Sequence, residues 1–97
     1  MRIFSVKIIS DFIKIHADTR KPLANWLRMA EKAIWNSPQE VKEHFPSASI
    51  LPDNQMVFNI KGNHYRLTVQ IAYNMGIISI LHIETHAEYS KRIRSSE

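Results

Sequence analysis

Cysteine is absent from the sequence. That excludes a disulfide framework, thiolate zinc sites and cysteine nucleophiles, and it fits a reducing compartment such as the cytoplasm. Glycine is almost as scarce, at two residues, and proline supplies only four. No stretch therefore reads as a flexible linker or a low-complexity tract, and no internal repeat at solenoid spacing is present. Long apolar runs are missing as well. The N-terminal MRIFSVKIISDFIKIH is interrupted by Lys7, Asp11 and Lys14, so it lacks the unbroken core of a signal peptide and the length of a membrane span. No membrane partner is expected.

What is present is an ordinary globular composition. With 44% hydrophobic and 23% charged residues in 97 positions, the chain can bury one modest core, and a single domain over residues 1–97 is expected. The formal net charge is +4. A basic small protein attracts polyanions, which makes nucleic acid a candidate partner.

Periodicity divides the chain into helices first and strands after, an α+β pattern. Met1 to Phe4 can form a short strand. Residues 6–16 place Val6, Ile9, Phe12 and Ile13 on one helical face, with Ile8 and Ile15 alongside. From Pro22, PLANWLRMAEKAIW sets Leu23, Trp26, Leu27, Ala30, Ala33 and Ile34 at spacings of three and four, an amphipathic helix with proline in its tolerant first turn. Ser37, Pro38 and Glu40 make a capping box for a third helix running to about His44. A short strand is expected around Ala48 to Leu51.

MVFNIKGNHYRLTVQIAY holds two alternating runs around Gly62-Asn63, a tight-hairpin dipeptide. The register that sorts apolar from polar pairs Met56 with Val69, Phe58 with Leu67 and Ile60 with Tyr65. Its other face carries Lys61, His64, Asn59, Arg66, Thr68 and Gln70. A second hairpin through Asn74-Met75-Gly76 pairs Val69 with Leu81 and Leu67 with Ile83. It sets Thr68 against His82 and Arg66 against Glu84, but leaves Ile78 and Ile80 on the polar face. Arg66 and Glu84 are then expected to form an ion pair. The result is a meander with one greasy face for the helices and one open, cationic face. At its end, Thr85-His86-Ala87-Glu88 is a second capping box. It begins a short helix that carries His86, Tyr89 and Lys91, with the anion-favouring helix start at the mouth of the sheet.

Five histidines invite a search for a metal site. His82 and His86 are four apart, but a strand-to-helix break falls between them and no HExxH exists, so no metal is expected. GxSxG, P-loop and dinucleotide signatures are missing too. What remains is Lys61, His64, Arg66, His82, His86, Tyr89 and Lys91 around one polar face. Metal-free RNA cleavage needs a base for the 2′-hydroxyl, an acid for the departing 5′-oxygen, and cations for the charge on phosphorus. Histidine and tyrosine suit the first two tasks, and arginine and lysine suit the third. These residue types alone leave nuclease, RNA-binding and partner-binding readings open.

Three segments in order, PLANWLRMAEKAIWNSPQEVKEHFPSASIL, VFNIKGNHYRL and THAEYSKRI, resemble the HigB toxin family of type II toxin–antitoxin systems, within the RelE/ParE superfamily. The resemblance spans nearly the whole chain. It implies a RelE-like α+β fold, with N-terminal helices on one face of a small twisted antiparallel sheet and a short C-terminal helix. It implies a cofactor-free mRNA interferase acting in the cytoplasm, generally on mRNA in the ribosome. A HigA-type helix-turn-helix antitoxin is the implied partner. Arg66 matches the family's strand arginine and Lys61 a common basic position, while His86 and Tyr89 match its recurring histidine and tyrosine. The implied catalytic set is thus Arg66, His86, Tyr89 and Lys61, with His64, His82, Lys91 and Arg92 contacting RNA. His64 stands where relatives often have lysine, Ser90 where aspartate is frequent and Glu84 where glycine is frequent. Three rival readings keep the fold: a ParE-like inhibitor of DNA gyrase, a degenerate toxin that binds only its antitoxin, and a non-enzymatic RNA-binding domain.

Overall fold

The structure, a computed structural model, describes residues 1–95 and the side chains of residues 1–93. The last two positions of the expected 1–97 domain lie outside the described residues. Elements follow in the order β1 (Arg2–Phe4), α1 (Lys7–Ile15), a 3-10 turn (Ala17–Thr19), α2 (Arg20–Lys32), α3 (Pro38–His44), β2 (Ser49–Leu51), β3 (Gln55–Ile60), β4 (Tyr65–Ala72), a second 3-10 turn (Tyr73–Met75), β5 (Ile77–Thr85) and α4 (His86–Ser95). The strands make one sheet in the order β1-β5-β4-β3-β2. β1 runs parallel to β5 and every other pairing is antiparallel. The architecture is α+β, consistent with a RelE-like fold.

The β3–β4 hairpin has the register that side-chain sorting demands. Met56 pairs with Val69, Phe58 with Leu67 and Ile60 with Tyr65, because a one-residue slip would turn this apolar row to the wrong face. Ile9 of α1 and Leu23, Trp26 and Ala30 of α2 join that row in one core cluster. Phe58 is its hub, with ring centroids 5.1 Å from Phe45, 5.2 Å from Trp26 and 6.4 Å from Trp35. α3 starts as its capping box requires, the Ser37 hydroxyl accepting from the Glu40 N–H, and Trp35 Nε1 donates to His44 Nδ1 at 3.0 Å.

Two expectations are corrected. α2 stops at Lys32 rather than continuing to Trp35, since Ala33 is extended (ψ 152°). Ile34 therefore leaves the helical phase and is 83% exposed, whereas Trp35 turns inward. At this helix end the Met1 ammonium donates to the carbonyls of Ala30, Glu31 and Ala33 at 2.8–3.2 Å, a cation where the helix leaves acceptors unmet.

The second correction lies in β5. Tyr65 to Thr68 pair with Thr85 to His82 as expected, but Val69 pairs with Ile80, not Leu81, across a register shift between Thr68 and Val69. Leu81 is the extra residue of a β-bulge, which inverts the alternation of the strand at that point. Ile78 and Ile80 consequently face the core, at 0% and 2% exposure, instead of the polar side. Gly76 takes the left-handed conformation foreseen for it (φ 66°), within a loop one residue longer than expected.

Candidate functional site

The capping box at the β5–α4 junction is complete. Thr85 Oγ1 accepts from the Glu88 N–H at 3.1 Å, and Glu88 Oε1 accepts from the Thr85 N–H at 2.9 Å. The Thr85 N–H first, and the Thr85 hydroxyl second, hold the Glu88 carboxyl below its usual range. The strand thus passes into α4 without a loop. The His86 N–H also donates to the His64 carbonyl at 2.9 Å, which ties the first turn of α4 to the β3–β4 turn.

From that anchor α4 returns over the polar face. The Tyr89 ring has the Arg66 guanidinium 5.9 Å from its centre and the Arg92 guanidinium 5.5 Å away. Arg66 is half-buried on β4. Its Nη1 donates to the carbonyls of Asn63 and Tyr65 at 3.2 and 3.4 Å, and no carboxylate among the described residues pairs with it. The expected Arg66–Glu84 ion pair is not formed, although the two are register partners. Glu84 instead grips Arg92 in bidentate fashion. Arg92 Nε lies 3.1 Å from both carboxylate oxygens and Nη2 lies 2.9 Å from Oε1. The reason is geometric: two turns of α4 carry Arg92 back above Glu84, where its planar fork matches the carboxylate. Glu84 in turn raises the Arg92 pKa.

Lys61 is drawn elsewhere. It adopts a left-handed backbone (φ 52°), and its ammonium lies 2.8 Å from Asp18 in the first 3-10 turn. The Tyr65 hydroxyl donates to the same carboxylate at 2.9 Å. Asp18 is held below the usual carboxylate range, by the Lys61 hydrogen bond first and that of Tyr65 second. Lys61 and Tyr65 are both pushed up, each chiefly by its bond to Asp18. Spacing gave no sign of this trio, because Asp18 is 43 residues from Lys61.

The structure therefore brings Arg66 and Arg92 each to the ring of Tyr89 and places His86 in the first turn of the same helix. His64 adjoins His86 through its backbone and Tyr65 through its ring, at 6.4 Å between centroids. His82 is exposed opposite Thr68, on the face of Arg66 and Glu84. Lys91 is exposed on α4. The His86 ring nitrogen Nδ1 is 3.5 Å from Ser90 Oγ. The polar face is less open than its sequence implied, since Val57 and Thr68 on it are 3% and 1% exposed. What stays accessible is the end near α4, an open surface, with no enclosed pocket detected among the described residues. Among those residues no group of three or more histidines or carboxylates is gathered as a metal site, and no helix is long and apolar enough to cross a membrane. A guanidinium that no carboxylate among the described residues pairs, an aromatic ring and an imidazole at a helix start are groups that can bind a phosphodiester and exchange protons with it.

Comparison with known families matches residues 19–92 to the HigB toxin model, described as the RelE-like toxic component of a toxin–antitoxin system. No curated protein matches the chain.

Proposed function

The chain belongs to the HigB family of RelE-like toxins, and on that premise we propose that it is a metal-independent mRNA interferase, the toxin of a pair whose antitoxin is of HigA type. The observation that carries this reading is Arg66, whose guanidinium, among the described residues, bonds carbonyl oxygens and no carboxylate and so keeps its charge for an anion beside Tyr89. In the proposed reaction the RNA 2′-hydroxyl attacks the adjacent phosphorus and the P–O5′ bond breaks. The products are a 2′,3′-cyclic phosphate and a 5′-hydroxyl. Arg66 stabilises the extra negative charge on the phosphorane. His86 takes or returns the proton, and Tyr89 is its partner or the platform on which a base stacks. His64, His82 and Lys91 line the approach of the strand. Lys61 joins them by exchanging Asp18 for phosphate. The mRNA is cut while held in the ribosome.

The test is induction of Arg66→Ala and His86→Ala variants, scored for growth arrest and for cleavage of one reporter mRNA with and without ribosomes. Each loss is expected to slow cleavage by about 10²–10⁴-fold. Undiminished cleavage and toxicity in both variants overturns the site assignment. Arrest of replication with intact mRNA points instead to a gyrase inhibitor.

A further inference from the structure

The Arg92–Glu84 pair assigns these two residues a task of their own. Glu84 is only 15% exposed and Arg92 39%, and three hydrogen bonds join them. Arg66, the other guanidinium near the Tyr89 ring, has no such counter-ion among the described residues. Two guanidiniums of one face are thus in unlike electrostatic states. A phosphate approaching the Nε and Nη2 edge of Arg92 would have to displace Glu84 and strand a mostly buried carboxylate beside an incoming anion, and one approaching the Nη1 end would meet a cation already neutralised by that carboxylate. Removing the partner of a desolvated charge is more costly than an exposed pair's small worth suggests. Exchange is therefore unfavourable, and the pair persists when RNA binds.

We propose that Glu84 is a positioning residue that withholds Arg92 from the RNA. It uses Arg92 to fasten α4 over the sheet, so that Tyr89 is held against Arg66 and the phosphate meets Arg66 alone of the two guanidiniums. This rests on the RNA-cleaving reading and goes beyond it, since the arginine that sequence assigned to RNA contact becomes a fastener. It also gives a role to a carboxylate that looked adverse beside a scissile phosphate. Its charge is spent on Arg92, and the cost is a weaker grip on the strand than two open guanidiniums would give.

The probe is a labelled single-stranded 2′-O-methyl RNA, which lacks the nucleophilic hydroxyl and so reports binding without cleavage. Fluorescence anisotropy across a salt series is measured for wild type, Glu84→Gln, Arg92→Gln and the double variant. Glutamine retains an acceptor for Arg92, so α4 stays docked. Glu84→Gln is expected to bind several-fold more tightly at low salt, with the slope of log affinity against log salt steeper by about 0.7, the value for one more phosphate neutralised on a single strand. In the Arg92→Gln background the same change should leave affinity and slope where they were. An equal gain in both backgrounds reduces the effect to net charge and overturns the proposal, as does no gain in either. Should Glu84→Gln not fold, wild type still decides the matter. On RNA addition, the NMR signal of the Arg66 Nε–H should shift and that of Arg92 should not. A shift at both overturns the proposal. Absence of RNA binding by wild type and all variants overturns the RNA-cleaving reading and this inference with it.

Discussion

Replacing Thr85 by alanine tests whether α4 is a separately unfolding unit fastened at its first turn. The substitution deletes the bond from the Glu88 N–H to Thr85 Oγ1 and leaves the reciprocal one, in which the Glu88 carboxylate accepts from the backbone N–H of residue 85. Loss of an N-cap hydroxyl costs about 1 kcal/mol, within a range of about 0.5–2. The other attachments of α4 are modest. Each guanidinium at the Tyr89 ring contributes about 0.5–1 kcal/mol, and the Arg92–Glu84 pair about 1 kcal/mol net, because desolvating the mostly buried carboxylate offsets much of its attraction. One cap is therefore a large share of what holds this helix. Hydrogen exchange reads the outcome: α4 amides should exchange about fivefold faster for about 1 kcal/mol of lost local stability, while amides of β3 and β4 keep their rates. Thr85→Ser should restore protection, because it returns the hydroxyl. Equal acceleration in α4 and the central strands would refute the reasoning, since α4 would then open only with the whole fold. Unchanged α4 rates would show that the capping box contributes nothing.

The Asp18–Lys61–Tyr65 trio makes a pH prediction. A carboxyl held below its ordinary 3.8 contributes stability that is fully present above that value and is lost as pH falls through the lower folded one. Lys61 and Tyr65, raised above 10.5 and 10.0, contribute below those values and lose their share as pH rises through the raised ones. The Tm gap between wild type and Asp18→Asn should stay level from about pH 5 to 9 and close in acid; a gap that widens in acid contradicts the trio. Phe58→Ala empties the hub of the aromatic cluster and should cost about 3–5 kcal/mol in a urea melt. A loss below about 1 kcal/mol would mean the cluster closes over the cavity without penalty.

Local rules made much of this molecule legible. The β3–β4 register followed from alternation and one Gly-Asn dipeptide, and both capping boxes were read from residues three apart. The failures share a cause, which is contact between residues that no local pattern connects. The bulge at Leu81 was hidden because Ile77 to Ile83 is apolar at nearly every position, so either phase looked acceptable. The partner of Glu84 was misread because register placed Arg66 opposite it, while the competing Arg92 arrives only once α4 has turned back. Lys61 belonged by sequence with Arg66 and His64, and only the fold brings Asp18 close enough to claim it. The early end of α2 has the same character, since Ala33 and Ile34 continue the helical spacing perfectly well.

The surplus residue at Leu81 leaves β5 as two half-strands whose reading frames are independent. Upstream of it, Ile78 and Ile80 are phased to the core; downstream, His82 and Glu84 are phased to the polar face beneath α4. In most of a strand, the loss of one residue sends a whole row of side chains to the wrong side. At this one place it would not, because the pairs on either side already stand as they would in an unbroken ladder. Divergence in strand length can therefore be absorbed at position 81, altering the twist at which the downstream half is presented while leaving the packed half intact. The half of β5 that carries the polar face can drift in aim without the core having to follow.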